Sequence, residues 1–289
     1  MKQLIKNLYK LLPFKKQLFS ITKKFWKPSE RIYKHLYFKG IFSVPVKKNV
    51  SFKMQHYGYQ LENDIFWAGI NENWEKYSLG IWQKLSEKAD VVFDIGANTG
   101  VYSLIAKTIK PKLAVHAFEP ISSIYQKLKN NIDINQYTIQ SHELAASDKT
   151  GTAIIYGLDT EHQYAASITN TNNFTKGTEI RTITLDEFVQ KNSITKVDLI
   201  KIDVEGHEPE VLSGFSKGLF TFRPTMLIEV LSEDVGNRVN NLLQGMGYLF
   251  YNIDEERGPS QVEKITKSSG YNFLICQPET ANYLKLKAN

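Results

Sequence analysis

From about residue 74 onward, apolar positions switch repeatedly between a helical and a strand period. Trp74, Tyr77, Ser78, Ile81, Trp82 and Leu85 recur at three- and four-residue spacing, which predicts a helix that buries one face. "VVFDI" (91–95) is a short run of β-formers, "VYSLIAKTIK" continues as a helix, and "LAVHAFEP" is a second strand closed by Pro120. "SSIYQKLKNNIDI" presents Ile124, Leu128 and Ile132 on one side of a helix. "TIQSHELAA" reads as a third strand and "TAIIYG" as another. Thr184-x-x-Glu187 fits a capping box opening a helix through Phe188 and Val189. "VDLIKID" is a buried strand, "PEVLSG" starts a short helix, and "TMLIEV" is a further strand. A helix around Val239 to Leu243 leads to "YLFYNI" and "YNFLICQP", two β-rich runs suited to antiparallel pairing.

This alternation predicts an α/β fold: a mostly parallel central sheet with helices on both faces and an antiparallel end strand. Ligands of such sheets bind outside the carboxyl ends of the strands. The candidate positions are therefore Asp94 to Gly100, Glu119, Ala146 to Asp148, Asp203 to His207, and Glu229.

The pattern before residue 50 is different. Leu4, Ile5, Leu8, Leu11 and Leu12 lie at helical spacing, with Lys2, Lys6 and Lys10 on another face. After Pro13 the mixture resumes, with Phe14, Leu18, Phe19, Phe25 and Trp26 among Lys15, Lys16, Lys23 and Lys24. Residues 1–50 hold thirteen Lys or Arg and one acid, Glu30, whereas the remaining 239 residues carry 23 basic and 29 acidic side chains. The net charge of +6 thus conceals a basic arm (1–50) on a mildly acidic domain (51–289). A basic amphipathic helix with aromatics suits the headgroup layer of an anionic membrane. It equally suits packing on the domain's own surface with solvated lysines. The arm lacks the uninterrupted apolar stretch of a secretory signal, and no run approaches the roughly 18 residues of a membrane-spanning helix. Cys276, the single cysteine of the 289 residues, excludes an intramolecular disulfide framework and points to a reducing, cytoplasmic setting.

Candidate chemistry begins with "DIGANTG" (94–100). The spacing Gly96-Ala-Asn-Thr-Gly100 lacks the middle glycine of the dinucleotide fingerprint G-x-G-x-x-G, and Asn98 stands near its place. Asp94, two residues before the first glycine, suits a cationic group better than a phosphate. S-adenosylmethionine carries an amino group and a sulfonium and has no phosphate. Gly96 leaves room for close approach, and Glu119 at the end of the second strand can accept from a ribose diol. The competing reading is a tight strand-to-helix turn with no ligand. An NAD-dependent oxidoreductase is a second alternative, opposed by the missing glycine.

"DLIKIDVEGHEPEVLSG" (198–214) ends a buried strand in Asp203, Glu205 and His207. Two carboxylates and an imidazole this close can titrate or bind a cation. Methyl transfer needs alignment and, for a hydroxyl acceptor, removal of a proton. His207 has the ordinary pKa for that base. Asp203 can orient it or contact the methionine portion of the donor, and Glu205 can bind an acceptor hydroxyl. Nothing in the spacing demands a metal. The alternative is that these residues cap the following helix and pair with Lys201 or neighbours.

The stretches "VVFDIGANTGVYS", "AFEP", "AASDKTG", "TLDEF", "DLIKIDVEGHEPEVLSG", "LIEV" and "YNFLICQP" occur in an order that resembles the FkbM family of methyltransferases across about residues 70 to 278. The resemblance implies the class I methyltransferase fold, a Rossmann-like three-layer sandwich, and S-adenosyl-L-methionine as cofactor. It implies O-methylation of a sugar, glycan, glycolipid precursor or natural-product hydroxyl. It carries the cofactor to Asp94, Gly96, Asn98, Gly100 and Glu119, with Ser147 and Asp148 near the adenine, and puts Asp203 to Glu208 at the catalytic face. The arm lies outside the resemblance. With the arm on an anionic bilayer, the enzyme would work at the inner face of a bacterial membrane. A membrane-bound scaffold retaining an inactive methyltransferase fold is the non-enzymatic alternative. A nucleic-acid partner is not expected, because the domain is acidic and no N-P-P-Y-type motif is present.

Overall fold

The computed structural model describes residues 14–72, 74–156 and 177–287. The expected helix from Leu4 to Leu12 lies outside the described residues. So does most of the polar segment 158–179, including His162, Tyr164 and Asn173, which its composition suggests as a lid or acceptor loop. The chain forms two compact units, Met1–Trp74 and Glu75–Asn289. The compositional boundary at residue 50 falls at the first residue of a strand within the first unit.

In the first unit, helices α1 (Lys15–Phe25) and α2 (Glu30–Tyr33) precede a hairpin of β1 (Gly40–Lys47) and β2 (Val50–His56), followed by α3 (Gln60–Ala68). Strict alternation along the hairpin turns Phe42, Val44, Val46, Phe52 and Met54 inward. On α1, Phe19 is buried with its ring 5.5 Å from that of Trp67. The Trp67 indole donates to the Leu36 carbonyl at 2.9 Å.

The second unit opens with α4 (Lys76–Lys88), so Trp74 precedes the helix whose face it was expected to share. There follow β3 (Val91–Ile95), α5 (Val101–Ile109), β4 (Ala114–Phe118), α6 (Ser122–Asp133) and β5 (Ile139–His142). Next come β6 (Ala145–Ala146), β7 (Gly151–Tyr156), β8 (Gly177–Ile183) and α7 (Leu185–Lys191). The rest of the unit is β9 (Leu199–Ile202), α8 (Glu208–Ser213), α9 (Ser216–Phe222), β10 (Thr225–Glu229), α10 (Glu233–Leu243), β11 (Leu249–Asp254), β12 (Gly258–Val262), β13 (Asn272–Cys276) and α11 (Pro278–Leu284).

Eight strands form the central sheet in the order β12-β11-β13-β10-β9-β3-β4-β5. From β10 to β5 every neighbour is parallel, and β13 joins β10 antiparallel, placing the reversed strand between β10 and β11. The expected pairing of the two late β-rich runs is the β11–β13 ladder. β12 then adds a further antiparallel strand at the edge. The run expected as one third strand divides: Ile139–His142 ends the central sheet, and Ala145–Ala146 joins β8 and β7 in a separate small sheet.

β3, β9 and β10 read as continuous apolar runs because they are covered on both faces. Phe93, Phe118 and Phe188 meet edge to face with centroids 4.8–5.8 Å apart. Burial of each such ring is worth roughly 2–3 kcal/mol. Only half of the Thr184 capping box forms. Its hydroxyl accepts from the Glu187 amide at 3.2 Å, while the Glu187 carboxylate turns to Thr150 and Lys191.

Candidate functional site

The β3–α5 turn is built from three residues in the left-handed region, Gly96 (φ 77°), Asn98 (φ 51°) and Gly100 (φ 94°). The Gly96 and Ala97 amides both donate to the Phe118 carbonyl, at 3.0 and 2.9 Å, tying the turn to the end of β4. The space that Gly96 leaves is filled by protein: a Cβ there would stand 1.8 Å from the Asp203 carbonyl oxygen. At Gly100 a Cβ would stand 2.5 Å from the Leu128 side chain on α6. Both glycines therefore serve close packing of the turn, a role that the expectation of room for a ligand at Gly96 did not contain.

Asp94 is buried, and one of its oxygens, Oδ2, accepts from the Ser103 amide at 2.9 Å and the Ser103 hydroxyl at 2.6 Å. Ser103 lies in the first turn of α5, whose N-terminal amides have no intrahelical partner. The strand carboxylate thus caps the helix. Glu119, also buried, accepts from the Asn98 amide on Oε2 and the Ile121 amide on Oε1, each at 3.0 Å. A carboxylate has about four acceptor positions, so each Glu119 oxygen retains capacity for a ligand hydroxyl. In the same turn the buried Thr99 hydroxyl has no hydrogen-bond partner among the described residues. Burial pushes Asp94 up to about 6 and Glu119 up to about 7, and the nearby Asp203 charge adds to both shifts.

At the ends of β9 and β10, Asp203, Glu205 and Glu229 each present a carboxylate oxygen within 4.8 Å of the others. Such a group can hold a cation or share protons. Glu205 (φ 53°) and Gly206 (φ 94°) make the sharp turn that brings the second carboxylate back toward the first. Asp203 and Glu229 share a hydrogen bond, and burial followed by the Asp203 charge pushes Glu229 up to about 9. Burial, then Asp203 and Glu208, push Glu205 up to about 7. Glu208 itself is buried and folds back, Oε1 accepting from the Val204 and Gly206 amides at 3.2 and 3.1 Å.

His207 faces another direction. Its Nε2 is 2.9 Å from the Ser147 hydroxyl, and its Nδ1 is 3.5 Å from the Glu210 carboxylate. Ser147 in turn donates to Asp148 at 3.2 Å. Asp203, Glu205 and His207 were expected to act together, yet the imidazole joins Ser147, Asp148 and Glu210 rather than the carboxylate group. Desolvation lowers its pKa against the raising effect of Glu210 and Asp148. Ser147 and Asp148, expected near the adenine, are thereby joined to the turn that carries Glu205.

At the centre of this charge system stands Lys201, the residue with which the capping alternative pairs these carboxylates, and the Asp203 contact fits that alternative. Lys201 is fully buried in β9, its Nζ 3.3 Å from Asn272 Oδ1 and 3.5 Å from Asp203 Oδ2, and 5.2 Å from the Tyr102 ring centroid. Tyr102 donates to Glu75 at 2.7 Å, and Asn272 donates to the other Glu75 oxygen at 3.1 Å. Burial alone would lower Lys201, but Asp203, Glu75, Glu229 and Asp94 outweigh it and hold the ammonium above its ordinary value. The sequence signal for its burial is a lysine interrupting the apolar run "LIKI".

The turn and strand ends thus form an acidic cradle over one buried ammonium. A pyrophosphate placed there would meet Asp94, Glu119 and Asp203, which opposes the dinucleotide alternative.

Residues 94–250 match the family described as the methyltransferase FkbM domain. The chain is 32% identical over 134 residues to the hexuronic acid methyltransferase AglP of Haloferax volcanii, covering 46% of this chain and 53% of that protein. It is 27% identical over 188 residues to the 31-O-demethyl-FK506 methyltransferase FkbM of Streptomyces tacrolimicus, covering 55% of this chain and 72% of that one. The chain therefore spans about half the length of the first relative and more of the second. Among solved structures, the methyltransferase FkbM of Methylobacillus flagellatus KT aligns with a TM-score of 0.45 at 18% identity, over 65% of this chain and 43% of that chain.

Proposed function

The chain belongs to the FkbM methyltransferase family, and from that premise we propose that it is an S-adenosylmethionine-dependent O-methyltransferase acting on a hydroxyl of a sugar, free or within a glycan or glycolipid precursor. The observation that carries this reading is the juxtaposition of an acidic nucleoside cradle with the carboxylate group Asp203, Glu205 and Glu229. Kinship with a hexuronic acid methyltransferase supports the sugar.

The donor fits the residues present. Glu119 retains acceptor positions for two ribose hydroxyls, and the Asp94-to-Gly100 turn supplies negative potential toward an amino group and a sulfonium. Ser147 and Asp148 serve the adenine side, held by His207. When bound, the donor supplies a methyl carbon already activated for in-line displacement.

The protein's own contribution is to orient the acceptor and take its proton. Glu205 is the base: a carboxyl at about 7 is largely ionised just above neutrality and basic enough to accept the hydroxyl proton as the oxygen attacks. Asp203 and Glu229, joined by a hydrogen bond, accept hydrogen bonds from the acceptor and keep its oxygen aligned. Lys201 offsets the combined charge from below. His207 is a positioning residue for the Ser147–Asp148 loop.

The test is calorimetric titration of the purified chain with S-adenosylmethionine, S-adenosylhomocysteine and NAD, repeated on Glu119→Gln, followed by radiolabelled methyl transfer to uronic acids and neutral hexoses. Binding of the first two ligands alone, weakened by the substitution, with transfer to a sugar, is expected. Binding of NAD instead, or donor binding with no transfer to any of these sugars, overturns the reading.

A further inference from the structure

We propose that the outward face of α1 is a docking surface for an anionic phospholipid bilayer. Phe14, Leu18, Ile21 and Phe25 succeed one another at four-, three- and four-residue steps, so they line one side of α1 and the residue before it. Their relative exposures are 74%, 49%, 59% and 86%. The opposite side of the helix already has its partner within the same unit. Phe19 is buried against Trp67, and the Lys23 ammonium donates to the Phe66 carbonyl. The helix therefore has two apolar faces, one that anchors it to its own unit and one that faces outward. Anchoring alone needs only the first. Single exposed apolar residues are ordinary, but a contiguous stripe carrying two phenylalanines marks an interaction site.

The charges around the stripe identify the occupant. At about 100° per residue, Lys15 and Lys24 project roughly a quarter-turn to either side of it. Lys16, a further 100° round, projects away from the stripe, and Lys24 is exposed. α1 contains no acid at all. Nucleic acid would engage the lysines and leave two phenylalanines in water. A second copy docking face to face would bring lysines against lysines. An anionic bilayer accommodates both features at once: the rings enter the acyl boundary while the lysine stems reach back to the headgroups. No helix of the described residues is long and apolar enough to cross a membrane, so the contact is interfacial. This inference stands on the first unit alone and does not depend on the acceptor or on methyl transfer.

The experiment is sedimentation of the full chain with phosphatidylcholine vesicles, with and without phosphatidylglycerol. Each lysine near an anionic surface is worth about fivefold in partitioning, so the anionic vesicles should be preferred by at least about tenfold at low salt. The variant Leu18→Ser/Phe25→Ser alters two exposed side chains, so its circular dichroism and melting temperature should match the parent, and its vesicle binding should fall by about tenfold or more. Lys15→Gln/Lys24→Gln should lose most of the anionic preference while keeping the fold. Absence of binding by the parent, or undiminished binding by a folded Leu18→Ser/Phe25→Ser variant, overturns the proposal. So does a parent dimer in light scattering that the same variant dissolves, which assigns the face to a second copy of the chain.

Discussion

The Asp203 carbonyl oxygen occupies the place where a side chain on Gly96 would begin, 1.8 Å from an ideal Cβ. The β3–α5 turn and the carboxylate strand are therefore locked backbone to backbone, and the Asp203 amide completes the link by donating to Ile95 at 3.0 Å. Gly96→Ala must both displace that carbonyl and hold alanine at φ 77°. Left-handed strain of about 1–2 kcal/mol plus the clash should destabilise the second unit by at least about 3 kcal/mol. Urea denaturation measures it. An unchanged midpoint would mean that the two loops are not coupled as described.

Lys201→Met removes the ammonium from a site shared with Asp203, Glu75, Glu229 and Asp94. Loss of one partner from a buried ion system costs about 3–5 kcal/mol because the remaining charges stay uncompensated. The variant should be markedly less stable than the parent near neutral pH and recover part of the difference on acidification, as the carboxylates take up protons. Equal losses at both pH values would assign Lys201 a packing role only.

Stability should fall as pH rises. Asp94 is raised from 3.8 to about 6, Glu119, Glu205 and Glu208 from 4.5 to about 7, and Glu229 from 4.5 to about 9. A carboxyl whose folded value exceeds its unfolded one favours the fold while protonated, so its contribution is complete below the unfolded value and disappears as pH climbs through the folded one. His56, His116 and His142, lowered by burial from 6.5 to about 4, oppose this trend below 6.5, so the melting temperature of the ligand-free chain is expected to decline from about 6.5 to about 9. Glu229→Gln should flatten the alkaline part of the decline. A melting temperature that rises over this window contradicts the assigned charge states.

Glu205→Gln separates the two candidate bases. It should lower kcat about 10²–10⁴-fold with little change in KM and remove the acidic limb of the pH–rate profile near 7. His207→Ala should leave kcat within about tenfold and weaken donor binding through the Ser147–Asp148 loop. Equal collapse of kcat in His207→Ala would return the base to the imidazole.

Much of this arrangement is visible in one dimension. Strands covered on both faces must be apolar throughout, which is why "VVFDI", "VDLIKID" and "TMLIEV" announce themselves, and ligand residues must follow where such strands end. Placing Asp94 and Glu119 at strand ends required only adjacency along the chain. His207 was harder. It is close in sequence to Asp203 and Glu205, but a left-handed residue at Glu205 and a glycine after it redirect the backbone, so neighbours in sequence face different partners. The partners of Lys201 beyond Asp203 were harder still, since Glu75 and Asn272, which hold one another at 3.1 Å in the same network, stand 197 residues apart.

By itself, the sequence determined the alternation of strands and helices, the acidic residues at the strand ends and the basic amphipathic start, because each depends on local period and composition. Tertiary structure alone decided which charges stand together, which glycine yields its space to protein, and where His207 points. Those outcomes depend on desolvation and on contacts a few ångströms long between segments far apart in the chain, and no local pattern encodes them.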